Sequence, residues 1–587
     1  MRNGLRSLSS SIVVSALLLA SVSVANGFGE VDMSTKPAVP SFGFTVEDDS
    51  FTGYGMFSSI SGASAGTFTT NLECSSVTDA KCAGADNLRV TAVVPPCTAQ
   101  SDITDVCIKS IKTADANGAL QPATFQYEAN TNKFVKNTQF DLPAGGGASV
   151  WKGASSKGGT LDYAVTIDLQ INWYRNSTPQ KWVVGYSAQV IPVKIKTGNY
   201  YPIYWKKSDQ GMSAEPQLPA GVTAYDPWFD CVIVDLGRCA VRDTFHADQK
   251  IELTLQMDNA VTGWMFGRMK DTKVSAVQLA KNTTLLTVEG SSINVPRGLA
   301  WVPLSAIKDS LGLQEMDWSS ELSNNKYVGP GNSVVGKPSN HPDLFEFSTF
   351  GVPPELGGGV HTPNPKLKGT GMFQAVEPWL KTASTTPTWR FQGMDPSSFW
   401  GMDQSAANKV WTCTVNDKTK LHGLMTTNAM AYSWSPPALK DGFLSYKVAG
   451  AHLDSDGSVY KGTYNLSMNA DSAKCIYGFT DAPIQATVSI TKSDGETTNI
   501  ATELLSIKNG WMNLSASNFT FSDPTIRIKL TQEKAAAKPI PAATAKPSTA
   551  DPVKVSPKKI TITCVKGSVK KAITGTKPIC PAGYKKK

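Results

Sequence analysis

The chain has 587 residues, 41% of them hydrophobic and 18% charged, with ten cysteines and a formal charge of +8. That is length enough for several packed domains and too apolar for an unfolded polymer. Arg2 and Arg6 account for two of the positive charges and the segment from Glu533 onward for eleven, which leaves the body between them at −5. Net charge therefore disfavours a nucleic-acid-binding body, and the basic character belongs to a tail.

Residues 1–25 read as a secretory signal. Arg2 and Arg6 precede the apolar stretch Ile12–Ala20, and Ser23-Val24-Ala25 supplies small residues before a cleavage point at Asn26. The apolar run is shorter than the ~20 residues that a spanning helix needs. No later stretch is long enough either, so the mature chain is expected to lack a transmembrane span.

The body reads as β throughout. Leu161, Tyr163, Val165, Ile167, Leu169, Ile171 and Trp173 alternate with Asp162, Thr166, Asp168, Gln170 and Asn172. A period of two over that length predicts a strand with one buried face and one wet face. Ile251, Leu253, Leu255 and Met257 repeat the pattern, as do Ile191, Val193 and Ile195. Further copies run through Ile484–Ile490 and Ile526–Leu530. Alternation of this kind belongs to antiparallel sheets, because strands of parallel sheets are apolar on both faces. Asp441-Gly442, Asp456-Gly457, Asp494-Gly495 and Asn509-Gly510 add hairpin turns.

Helix is expected only in short pieces, at Pro303–Leu313 and from Asp395 to Trp400. The expected fold is mainly β: multidomain antiparallel β-sandwiches with a long irregular insertion and a disordered Pro/Lys-rich linker. The expected divisions are 46–197 and 198–308 as two β-domains, 309–410 as an aromatic-rich irregular insertion, and 411–532 as a β-sandwich. After these come an Ala/Pro/Lys linker at 533–558 and a small cationic tail at 559–587 that needs its cysteine pair to hold a shape.

The cysteines fall into close pairs. An even set behind an export signal argues for disulfides in an oxidising compartment. Roughly 945 pairings are open to ten cysteines; nearest-neighbour pairing gives Cys74–Cys82, Cys97–Cys107, Cys231–Cys239, Cys413–Cys475 and Cys564–Cys580. The wider fourth pair is expected to pin one sheet to another. No C-x-x-C and no adjacent histidine supports zinc.

Sites of chemistry are sparse, and no catalytic or cofactor-binding residue is assigned. Gly62-Ala63-Ser64-Ala65-Gly66 matches the serine-hydrolase elbow G-x-S-x-G, but its setting reads as strand, small-residue turn, strand rather than strand, turn, helix. Asp454 and Asp456 begin a calcium-loop pattern that lacks the remaining ligands, and a hairpin turn accounts for them equally. His246, His341, His361, His422 and His452 form no ligand pair. Trp205, Trp228, Trp264, Trp301 and Trp400 serve either as core or as a sugar-stacking platform.

The segments AGAHLDSDGSVYKGTYNL, KCIYGFTDAPIQATVSI, GWMNLSASNFTFSDPTIRIKLTQ and ITITCVKG…KPICPAGYKKK, with TGWMFGRMKD at Thr262–Asp271, resemble a group of uncharacterised exported actinobacterial proteins. The resemblance covers about the last 130 residues clearly. It implies a modular, surface-associated architecture and carries no activity to transfer. The expectation is a non-enzymatic secreted or cell-surface structural or binding protein. Its cationic tail would meet an acidic cell-wall polymer or envelope surface, and no nucleic acid is expected. The alternatives are a carbohydrate-binding protein or polysaccharide hydrolase that meets glycans across 314–410, and a serine hydrolase on Ser64.

Overall fold

The structure, a computed structural model, describes residues 38–39, 41–47, 57–63, 72–82, 85–174, 180–208, 211–228, 230–246, 248–258, 263–280, 283–303, 306, 344–348, 373, 377–394, 409–410, 412–413, 421–432, 436–440, 443–478, 484–491, 497–500, 503–508, 510–521, 525–532, 560–567, 569–575 and 577–586. The expected signal segment, the linker and most of both expected helices lie outside these residues. The chain divides into two compact units, Met1–Glu533 and Lys534–Lys587.

The first unit is mainly β, as the alternation predicts, and is built from several antiparallel sheets. Its backbone is a fifteen-stranded sheet that includes Asn87–Val93, Thr160–Tyr174, Gln180–Thr197, Arg390–Met394, Gly263–Arg268, Leu421–Thr427, Lys461–Asn469 and Trp511–Thr520, in that spatial order. This sheet draws strands from each expected β-domain and from the expected insertion. Composition predicts an irregular insertion, yet it supplies the strands Leu344–Ser348, Leu380–Thr388 and Arg390–Met394. Arg390 and Gln392 hid the last of these, because charged and amide side chains occupy the positions that a sequence reader assigns to water.

Two further sheets pack on the large one. Lys270–Ala280, Thr283–Ser291, Lys250–Asp258 and Cys107–Ala114 belong to a five-stranded sheet. Its Ile251, Leu253, Leu255 and Val288 share a buried cluster with Ile167, Leu169, Ala188, Phe391, Met265 and Leu424 of the large sheet. Phe443–Ala449 and Thr525–Gln532 belong to a six-stranded sheet. Its Leu444, Tyr446 and Val448 share a second cluster with Trp264, Phe266, Met425, Leu466 and Leu514.

Register shows that these two cores lie on opposite faces. Gly267, Phe391, Ala188 and Ile167 stand in one cross-strand row, and Phe266, Gln392, Ser187 and Asp168 stand in the next. Neighbouring rows of a pleated sheet point to opposite sides. One continuous sheet thus forms two sandwiches, back to back, and every residue of Gly263–Arg268 at the crossover is buried.

The one α-helix bounded among the described residues, Ala470–Tyr477, was not read from the sequence. Its signals were present. Asn469 caps it by accepting from Asp471 N and Ser472 N at 3.0 and 3.1 Å. Gly478 ends it at φ 73°, a left-handed conformation that costs glycine little. Cys475 lies on this helix and bonds Cys413. The expected sheet-to-sheet bridge is therefore corrected: the bond ties a helix to a helical residue. The four remaining pairs are also closed as nearest neighbours.

Two of the expected turns are visible. Lys508 pairs with Trp511 around Gly510 at φ 78°, and Asp454–Ser458 closes around Gly457 at φ 82°. Both glycines take a positive φ that side chains rarely adopt.

The second unit holds a three-stranded antiparallel sheet with Ile560–Lys566 in the middle, flanked by Val569–Gly575 and Lys585–Lys586. Its described fully buried side chain is Cys564, bonded to Cys580.

Candidate functional site

Most sequence-derived candidates are occupied by folding tasks. Asp454 Oδ1 accepts from Ser455 N and Oγ, and Asp456 Oδ1 accepts from Ser458 N at 2.8 Å. Both calcium candidates therefore shape their own hairpin turn, and among the described residues no third His, Cys, Asp or Glu joins them as a metal group. Those local hydrogen bonds to Ser458 also hold the Asp456 carboxyl below its usual range. Ser64, His341, His361 and Trp400 lie outside the described residues. His422 is buried, with Nδ1 2.7 Å from Ser472 Oγ on the helix. His452 is exposed and His246 half-buried, and each contributes its backbone carbonyl to a local turn or strand end.

The aromatic rings divide in the same way. Trp264, Trp301 and Trp389 are buried. Trp389 donates its indole N–H to Gly290 O at 2.9 Å and packs edge-on against Phe391 at 5.8 Å. Trp228 and Trp379 are half-buried, and nothing is described of the Trp205 side chain. Within 314–410, Trp389 and Phe391 are thus core residues rather than a row open to a polymer.

The most unusual polar group of the body lies at the crossover of the two cores. Asp168, Ser187 and Gln392 stand side by side on three neighbouring strands, and Gln189, Arg390 and Arg268 continue the next row on that face. Ser187 donates its hydroxyl to Asp168, and Gln170 Nε2 donates to the other carboxylate oxygen at 3.4 Å. Desolvation raises the Asp168 carboxyl above its ordinary range, and these two hydrogen bonds oppose the rise. Gln392 Nε2 is buried without a hydrogen-bond partner.

Arg268 is fully buried, donates to the carbonyls of Thr427 and Ala429, and lies 4.6 Å from the Tyr432 ring centroid. The sequence flagged none of these residues, because alternation assigns Asp168 and Thr166 to solvent. Among the described residues, Asp168 has the side chains of Ser187 and Gln170 as its hydrogen-bond partners. The row is a polar seam that lets a sheet change its buried face.

Charge without compensation is found in the second unit. Lys566, Lys570, Lys571, Lys577, Lys585 and Lys586 are all exposed, and residues 552–587 contain no Asp or Glu. Antiparallel pairing fixes their places: Cys564 stands between Lys571 and Lys586, and Val565 between Lys570 and Lys585. Lys571 Nζ lies 5.8 Å from the Tyr584 ring centroid, within cation–π range. Such an array can bind polyanions.

No protein-family model, curated protein or solved structure matches the chain.

Proposed function

We propose that this is an exported, non-enzymatic surface protein whose disulfide-stapled β body is retained at an acidic envelope by its lysine-bearing C-terminal unit. The observation that carries the reading is the separation of the chain into two compact units with opposed charge. The body is net acidic, whereas the second unit carries 13 lysines against one acid, Asp551, and residues 552–587 contain no Asp or Glu. Attraction of such an array to an anionic surface is long-ranged and falls with salt. Five closed disulfides and no free cysteine among the described residues fit an oxidising compartment. Among the described residues, no helix is long and apolar enough to cross a membrane.

A chain ending at Gln532 tests the proposal. Expressed in the source cells, it should appear in the medium while the full chain stays with the cell fraction. Equal cell association of the two proteins, with the truncated body shown to be folded, refutes retention through the second unit.

A further inference from the structure

The lysine unit is more than a charged tail, since its register places the charges. Lys571 and Lys586 flank Cys564 on one face, and Lys570 and Lys585 flank Val565 on the other. Two strand spacings separate the members of each pair, about 10 Å. Lys566 pairs with Val569 and joins the Cys564 face. Its ammonium runs along Gly583, where an added Cβ would meet Nζ at 3.3 Å. Gly583 itself takes φ 86°, a conformation that side chains rarely adopt.

One member of each flanking pair depends on very little structure. The strand Lys585–Lys586 has two residues and two register partners, too few to hold itself against a neighbour. Five residues before it, Cys580 is bonded to Cys564, whose side chain is fully buried at the centre of the middle strand. That bond is what keeps Lys585 and Lys586 in register beside Lys570 and Lys571.

We propose, building on the reading that this unit retains the protein, that it is a folded docking surface for a linear polyanion. The Cys564–Cys580 disulfide is the condition for that surface. A row of like charges repels itself, and a partner with repeated negative charge relieves the repulsion at several positions at once. Lysine recognises charge rather than the planar geometry that arginine reads. The partner class is therefore defined by linear charge density, not by a particular headgroup. Val569 and Ile579 are exposed at 52% and 83%, but single exposed apolar side chains do not make a membrane-inserting face.

The test uses the full chain with two probes, inorganic polyphosphate and polygalacturonate, each titrated at low and at moderate salt. Both should bind, with affinity falling at least about tenfold between ~50 and ~200 mM salt. Cys564→Ala with Cys580→Ala leaves every charge in place and should weaken binding about tenfold. Lys570→Gln with Lys585→Gln, which keeps the disulfide, should weaken it comparably.

Unchanged affinity in the cysteine variant overturns the folded surface while leaving retention by charge intact, which the Gln532 truncation tests separately. Tighter binding to anionic phospholipid vesicles than to either polymer overturns the partner class.

Discussion

Asp168 shows how one residue records the architecture. It sits where the apolar face of the large sheet gives way to the polar seam, and desolvation raises its carboxyl while Ser187 and Gln170 offset part of that rise. A raised folded value means that the native state binds this proton more readily than the unfolded chain does. The resulting contribution to stability is complete below the unfolded value near 3.8 and is lost as pH rises through the folded value. Asp168→Asn, neutral at every pH, should therefore match the parent in urea stability at about pH 3.5 and exceed it at about pH 7. An Asn variant that is less stable than the parent at neutral pH would show that the ionised carboxylate is needed by the seam.

At the scale of elements, the sequence was readable wherever a strand has one dominant buried face. Lys250–Asp258 buries Ile251, Leu253, Leu255 and Met257 completely, and the period of two identifies them without ambiguity. It failed where both faces are covered. Thr254 and Gln256 of that same strand are buried too, as are Arg390 and Gln392, and a polar residue under cover looks like a polar residue in water. The helix was missed for another reason: Asn469 and Gly478 mark its ends, but its eight residues are short against the surrounding strand signals. The five disulfide pairings were readable because sequence neighbours close short loops cheaply, although the partners of the long loop were placed on the wrong kind of element.

That long loop should matter most to stability. Cys413 and Cys475 are 62 residues apart, against 8 for Cys74 and Cys82. By loop-closure entropy the first bond contributes about 4 kcal/mol and the second about 2.5 kcal/mol. Replacing each pair with alanines and comparing denaturation midpoints should reproduce that order. An equal loss in both variants would mean that local contacts, rather than chain entropy, set the contribution.

For the molecule as a whole, the two units should behave as separate cooperative bodies. The first encloses two large apolar cores, whereas the second buries one cysteine in its described residues. Small sheets without a core rely on staples. Amides of Ile560–Lys566 should exchange with deuterium faster than those of Lys250–Asp258. Cys564→Ala with Cys580→Ala should abolish their protection and leave the body unaffected. Loss of protection in Lys250–Asp258 on the same substitution would refute the independence of the units.

The parallel contact between Gly263–Arg268 and Leu421–Thr427 has a consequence for biogenesis. These neighbours are separated by more than 150 residues of chain, and Arg268 donates to the carbonyls of Thr427 and Ala429 at the end of the later strand and just beyond it. A nascent chain arrested before Leu421 would leave Gly263–Arg268 as an open sheet edge beside Arg390–Met394, which invites intermolecular pairing. Assembly of the native body should therefore wait until the strand Leu421–Thr427 has been made.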